Sequence, residues 1–141
     1  MIIMSVDYGD ARTGIAVCDK SEILASPVKV IKCDYMPKVA KAIAEEANIK
    51  KAELIVVGCP INMDGSFGGR AEKCKELAEF LKTEYGLETT LYDERLTTVE
   101  AHNFLNTTNT RGKKRKAVID AVSAVIILED YIKSKKGKKT I

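Results

Sequence analysis

The chain has 141 residues, 45% of them apolar and 30% charged, which is enough for one core and too short for two ordinary domains. That balance excludes a disordered or fibrous class, and no apolar run approaches the roughly 20 residues of a membrane span. The net charge of +3 conceals an asymmetry: residues 1–110 carry 13 Lys and Arg against 17 Asp and Glu, and residues 111–141 carry 10 against 3. A basic segment is the electrostatic footprint expected for a polyanion such as nucleic acid, although a lysine-rich end from about residue 134 is as readily a solvated, frayed helix terminus. Residues 1–4 lead straight into a strand, without the basic and apolar regions or the cleavage site of a secretory leader. A cytoplasmic protein with no membrane partner is therefore expected. Cys18, Cys33, Cys59 and Cys74 form no CxxC pair and the single His102 has no cysteine near it, so they read as reduced core thiols, not as a zinc site.

Residues 2–7 are almost all apolar and predict a central strand, followed by a turn at Gly9-Asp10 and a second strand over 14–18. A third strand is expected around 27–33. Pro37 then opens a helix in which Val39, Ala40, Ile43, Ala44 and Ala47 keep helical spacing. Residues 54–57 predict a buried strand that runs into a loop over 58–66, where glycine, proline and asparagine crowd together. A helix over 69–85 is capped by Gly86, and residues 88–94 alternate as a fifth strand. The capping box in Thr97-Thr98-Val99-Glu100 starts another helix, which assigns Glu100 to the cap. A polar stretch over 106–114 precedes a last helix over about 116–133. The order βββαβαβαα predicts an α/β architecture: one domain over 1–141, with a mixed sheet covered by helices on both faces.

Three acids stand where a carboxylate is hard to explain structurally: Asp7 at the end of the first strand, Glu94 in Asp93-Glu94-Arg95, and Asp120 inside an apolar helix. Unpaired buried carboxylates are costly and normally persist where a cation or donor network compensates them. Ligands of open α/β sheets gather beyond the carboxyl ends of the strands, where Asp7 and Glu94 are expected. Oxygen ligands with open positions suit Mg²⁺ or Mn²⁺, and a pair of such ions would activate water for phosphodiester hydrolysis. Each acid also has a plainer role. Asp7 could nucleate the turn at Gly9, and Glu94 could pair with Arg12 or Arg95. Asp120 is hardest to place at a surface, because it shares a helix face with Ser123, Ala124 and Ile127. Arg12 could clamp a phosphate or hold Asp7 and Glu94 in position; Lys116 carries the same ambiguity, and the cluster Lys113, Lys114, Arg115 and Lys116 leads directly into the Asp120 helix. His102 is read as a surface residue.

Four stretches resemble the YqgF/RuvX family: Asp7-Tyr8-Gly9-Asp10-Ala11-Arg12-Thr13-Gly14, Gly58-Cys59-Pro60, Asp93-Glu94-Arg95-Leu96-Thr97-Thr98, and Lys116 with Asp120. They occur in the family's order and span nearly the whole chain. The resemblance implies a ribonuclease H-like fold with a five-stranded mixed sheet. It also implies a nuclease site in which Asp7, Glu94 and Asp120 match the acidic, metal-binding positions. The family was first described as a candidate Holliday junction resolvase by its similarity to RuvC, and is associated with maturing the 5′ end of 16S ribosomal RNA. Two departures are visible: Cys59 where the family commonly has Leu, and Ser123-Ala124 where it has paired Ala. Neither removes an acidic position. A fourth acid has no secure match, with Asp93 and Asp10 the nearest by sequence.

The expected function is a metal-dependent nuclease acting on precursor 16S rRNA, with nucleic acid and ribosomal particles as partners. The alternative in the same chemistry is cleavage of branched DNA, whose paired cuts need a two-fold dimer, so that either a monomer or a homodimer is expected. A catalytically silent RNA-binding assembly factor is the third reading. An actin-like nucleotide-binding module is disfavoured, because such folds close a cleft between two domains and this chain supplies one.

Overall fold

The computed structural model describes residues 1–22, 24–60, 68–93 and 122–134. Strands β1 (Ile3–Tyr8), β2 (Arg12–Cys18), β3 (Ala25–Lys32), β4 (Leu54–Cys59) and β5 (Thr89–Asp93) form one sheet in the order β3-β2-β1-β4-β5. β1 and β2 form an antiparallel hairpin and β3 adds antiparallel to β2, whereas β1, β4 and β5 are parallel to one another. The sheet is therefore mixed. Helices α1 (Met36–Lys50) and α2 (Gly69–Tyr85) supply the crossovers to β4 and β5, and a third helix, α3, occupies residues 122–134.

Local chemistry accounts for most of these limits. Pro37 sits in the first turn of α1, where its missing N–H costs nothing. α2 ends at Gly86, whose φ of 65° is the left-handed conformation that lets its N–H close back on the Lys82 carbonyl. Alternation divides the strands between two cores. Met4, Val6, Ile15, Ile55 and Val57 pack with α1 and α2 on one face. Ile3, Ala16, Cys18 and Val56 pack with Ala124, Ile127, Leu128 and Ile132 of α3 on the other. Helices on both faces give the expected α/β layers.

Three strand limits differ from expectation, each because ladder pairing extends past the local turn signals. β2 begins at Arg12, two residues early, since Arg12 pairs with Lys32. β3 begins at Ala25 and takes in Pro27, which an edge strand with a register shift between Ile15 and Ala16 accommodates. β4 continues through Gly58 and Cys59, expected as loop, because these pair with Tyr92 and Asp93. Among the described residues no helix is long and apolar enough to cross a membrane.

Cys18, Cys59 and Cys74 are buried and Cys33 is half-buried, all as reduced thiols. Burial raises the pKa of Cys18 above its ordinary 9.0, against the opposing Ile3 N–H that donates to Sγ at 3.2 Å. A raised thiol pKa contributes stability that is complete below that ordinary value and is lost as pH climbs through the folded one. Alkylation of the native protein near neutral pH should therefore mark Cys33 first. Equal labelling of Cys18, read by peptide mass spectrometry, would contradict this packing.

Candidate active site

β1 is the central strand, and its alternation puts Ile3, Ser5 and Asp7 on the α3 face while Met4, Val6 and Tyr8 face α1 and α2. Asp7 is half-buried near the carboxyl end of that strand. Opposite it in β2 lies Gly14. On its other flank the Val6–Val57 register, continued by one residue, brings Asp7 beside Gly58, which in turn pairs with Tyr92. Both glycines are buried, and neither carries a side chain. Asp7 thus stands on an open floor of backbone, on the sheet face and at the strand end where ligands of such folds collect.

Arg12 lies on the same face, diagonally across the ladder from Asp7. Its Nη1 is buried without a hydrogen-bond acceptor, and among the described residues Arg12 forms no ion pair. A guanidinium nitrogen shut away from water without an acceptor is costly. The turn between the two residues depends on Gly9, where a Cβ would collide with the Arg12 carbonyl oxygen. Asp10 ties this turn to α2: its carboxylate meets Arg70 Nη1 and Lys73 Nζ, each at 3.4 Å, while Arg70 Nη2 donates to the Tyr8 carbonyl at 3.3 Å. Asp10 is therefore a surface strap. Tyr8 is no acid–base candidate, because burial first, then the nearby Cys74, Asp10 and Glu76, raises its phenol pKa further.

α3 is held onto the Asp7 face by a buried bond in which Ser5 Oγ donates to the Ala124 carbonyl at 2.6 Å. Ser123, Ala124 and Ile127 are 7%, 0% and 0% exposed, so the stripe of α3 that they share is its buried one. Farther along, Tyr131 meets Tyr92 edge-on with ring centroids 6.1 Å apart. Replacing Ser5 with Ala leaves the Ala124 carbonyl buried with one donor fewer. The variant should lose about 1–3 kcal/mol of stability, and an unchanged urea midpoint would show that this bond does not hold α3 in place.

Of the residues singled out by sequence, the structure brings Asp7 and Arg12 onto one face. Glu94, Asp120, Lys113, Lys114, Arg115 and Lys116 lie outside the described residues, as do Glu100 and His102. Among the described residues no cluster of three or more acids, cysteines or histidines is gathered. Asp93 pairs with Cys59, whose side chain belongs to the α1/α2 core, so it occupies the face opposite Asp7 and is a poor fourth ligand. Sequence reasoning passed over Gly14 and Gly58 as site elements. The sequence offered little signal, because Gly14 read as the first residue of a strand and Gly58 as loop; only the ladders set both inside strands flanking Asp7, where a glycine often marks close approach of a ligand.

A family model described as RuvX, a Holliday junction resolvase, matches residues 1–134. The chain belongs to the RuvX family. Relatives from Halothermothrix orenii (42% identical over 132 residues, 94% of each chain) and Desulfitobacterium hafniense (40% identical over 141 residues, 98% of each) carry the provisional name pre-16S rRNA nuclease. Among solved structures, Thermus thermophilus RuvC in complex with a Holliday junction substrate superposes with a TM-score of 0.62 at 12% identity, covering 97% of this chain and 96% of that one. The Fowlpox virus resolvase with its junction DNA superposes at 0.60 with 14% identity, covering 96% and 99%. At those identities the likeness establishes the fold, which is ribonuclease H-like with a five-stranded mixed sheet.

Proposed function

We propose that this RuvX-family protein is a metal-dependent nuclease that processes the 5′ end of precursor 16S rRNA, with Asp7, Glu94 and Asp120 as its acidic centre. The observation that carries the reading is Asp7 itself, half-buried between two side-chain-free positions at a strand end. The other two acids rest on the motifs that resemble those of the RuvX family, Asp93-Glu94-Arg95 and Lys116 with Asp120, and described residues close to them in sequence lie on the Asp7 side. Tyr92, two residues before Glu94 in sequence, packs against the α3 core on the Asp7 side of the sheet. Ala124, four residues after Asp120 in sequence, is pinned over Ser5, on the face that Asp7 shares. The names of the curated relatives favour RNA as substrate.

Carboxylate oxygens on a floor without side chains fit Mg²⁺ or Mn²⁺, which take oxygen ligands and keep exchangeable water. Asp7, Glu94 and Asp120 would hold the ion, and when bound it would lower the pKa of a water and offset charge on the phosphate oxygens. Asp7 contributes a fixed position, because β1 is paired on both sides and cannot shift alone. Gly14 and Gly58 leave room for substrate to approach the carboxylate. Arg12 orients a phosphate oxygen through the nitrogen that has no acceptor among the described residues. The basic residues Lys113, Lys114, Arg115 and Lys116 add a sequence-independent hold on the backbone.

The test is cleavage of a 5′-extended 16S rRNA fragment beside a synthetic four-way DNA junction in Mn²⁺, with Asp7→Asn as control. Cutting of the RNA alone, lost in Asp7→Asn, is the expected result. Paired symmetric nicks in the junction alone would make the protein a resolvase, and cutting of neither would leave a binding factor.

A further inference from the structure

The Asp7 face continues outward from the centre of the sheet. Arg12 on β2 pairs directly with Lys32 on β3, and a backbone bond from the Cys33 N–H to the Ala11 carbonyl at 3.0 Å extends the ladder beyond them. Two cations are thus held opposite one another across a rigid antiparallel pair, an arrangement that is destabilising unless something anionic lies against it. Among the described residues neither cation is neutralised by an ion pair. Arg12 Nη1 has no acceptor, Lys32 is exposed, and neither enters an ion pair. The nearby Asp10 is already taken by Arg70 and Lys73.

Lys29, three residues earlier on the same strand, provides an internal contrast. It pairs across the ladder with Ile15, whose face is covered by α1 and α2, and its Nζ meets Glu46 Oε1 of α1 at 3.3 Å. One lysine of β3 is neutralised by the fold, on the face away from Asp7. The lysine on the Asp7 face has no ion pair among the described residues, and neither has the arginine beside it.

We propose that Arg12 and Lys32 form a phosphate-binding track, one and two strands out from Asp7, that holds the phosphodiester backbone of the substrate next to the bond being cut. The track rests on the nuclease reading for its direction, since Asp7 marks where the reacting phosphate lies. Its chemistry is that of any polyphosphate strand: Arg12 offers a planar fork, and Lys32 a mobile point charge at the rim. Lys32 is the residue that this adds to the candidate site.

The test measures equilibrium binding of labelled single-stranded RNA and of a four-way DNA junction across a salt series in EDTA, so that nothing is cut. Lys32→Gln should weaken binding about 5-fold at low salt and flatten the slope of log K against log salt by about 0.7–0.9, the contribution of one phosphate contact. Lys29→Gln should change neither. Lys32→Glu should bind more weakly still while melting no lower than wild type, because the new acid would lie opposite Arg12; a solubilising lysine would give the unchanged melting without the lost binding. Loss on both probes supports a contact to the shared backbone, and loss on one identifies that strand as the source. Wild-type affinity and slope for Lys32→Gln on both probes would overturn the track.

Asp7→Asn separates this from the nuclease reading. It should keep the wild-type salt slope in EDTA and lose cleavage in Mn²⁺. Should Asp7→Asn still cut while Lys32→Gln binds weakly, the acidic centre fails and the track stands; the reverse pattern removes the track alone.

Discussion

Replacing Asp7 with Asn is expected to lower the rate of RNA cleavage by about 10³-fold or more, equivalent to about 4 kcal/mol of transition-state stabilisation. The exchange keeps the size of the side chain, removes its whole negative charge and replaces one carboxylate oxygen with an amide nitrogen, so the loss should fall on turnover, with little change in RNA binding. The position explains the size of the effect. Asp7 is fixed by ladders on both sides of β1, and its flanking residues Gly14 and Gly58 have no side chain that could take over as ligand. Melting temperature should stay within a few degrees of wild type or rise, because the substitution removes negative charge from a half-buried position. Near-normal cleavage with Asp7→Asn would show that the chemistry does not pass through this carboxylate.

Gly9→Ala should be the most damaging change outside the acids themselves. An added Cβ collides with the Arg12 carbonyl oxygen and comes within 3.3 Å of Arg70 Nη2. The arginine side chain could swing away, but the carbonyl belongs to the backbone of β2, so the turn must move. We expect a loss of about 2 kcal/mol or more in stability, in the range of other forced backbone shifts. Activity should fall about 100-fold even where the protein is folded, since a displacement near 1 Å of a catalytic or positioning group costs about that much. The turn joins Asp7 to Arg12, so both would be displaced together. Circular dichroism and urea unfolding measure the first effect, and single-turnover cleavage at saturating protein measures the second. Wild-type values in both would mean that the turn tolerates a side chain by relaxing elsewhere.

The hairpin of β1 and β2 carries Asp7 and Arg12, β4 sets Gly58 beside Asp7, and α3 closes the same face from a distant part of the chain. Segments separated by more than a hundred residues therefore meet on one side of a sheet, as the bond between Ser5 and Ala124 shows. Such non-local assembly explains why changes far from the chemistry, at Ser5 or in the α3 core, should still reach the site.

Much of this was legible in the residues alone. The strand at β1, the helix start at Pro37 and the stop at Gly86 follow from local preferences that act over a few residues, and the structure places them within one or two positions. The α/β class followed from the order of those elements, and Asp7 stood out because an acid closing an apolar strand has few structural uses. What the local pattern could not supply was pairing. Gly58 and Cys59 looked like the start of a loop by composition, and only their ladder to Tyr92 and Asp93 makes them strand. Face assignment was beyond the sequence for the same reason: which side of the sheet Asp7, Arg12 and Lys32 share depends on register and on where α3 docks, both of which are set by contacts between distant segments. Lys29 and Lys32 are alike as letters in a strand, and the fold alone gives one a carboxylate partner and leaves the other beside Arg12 on the face of Asp7.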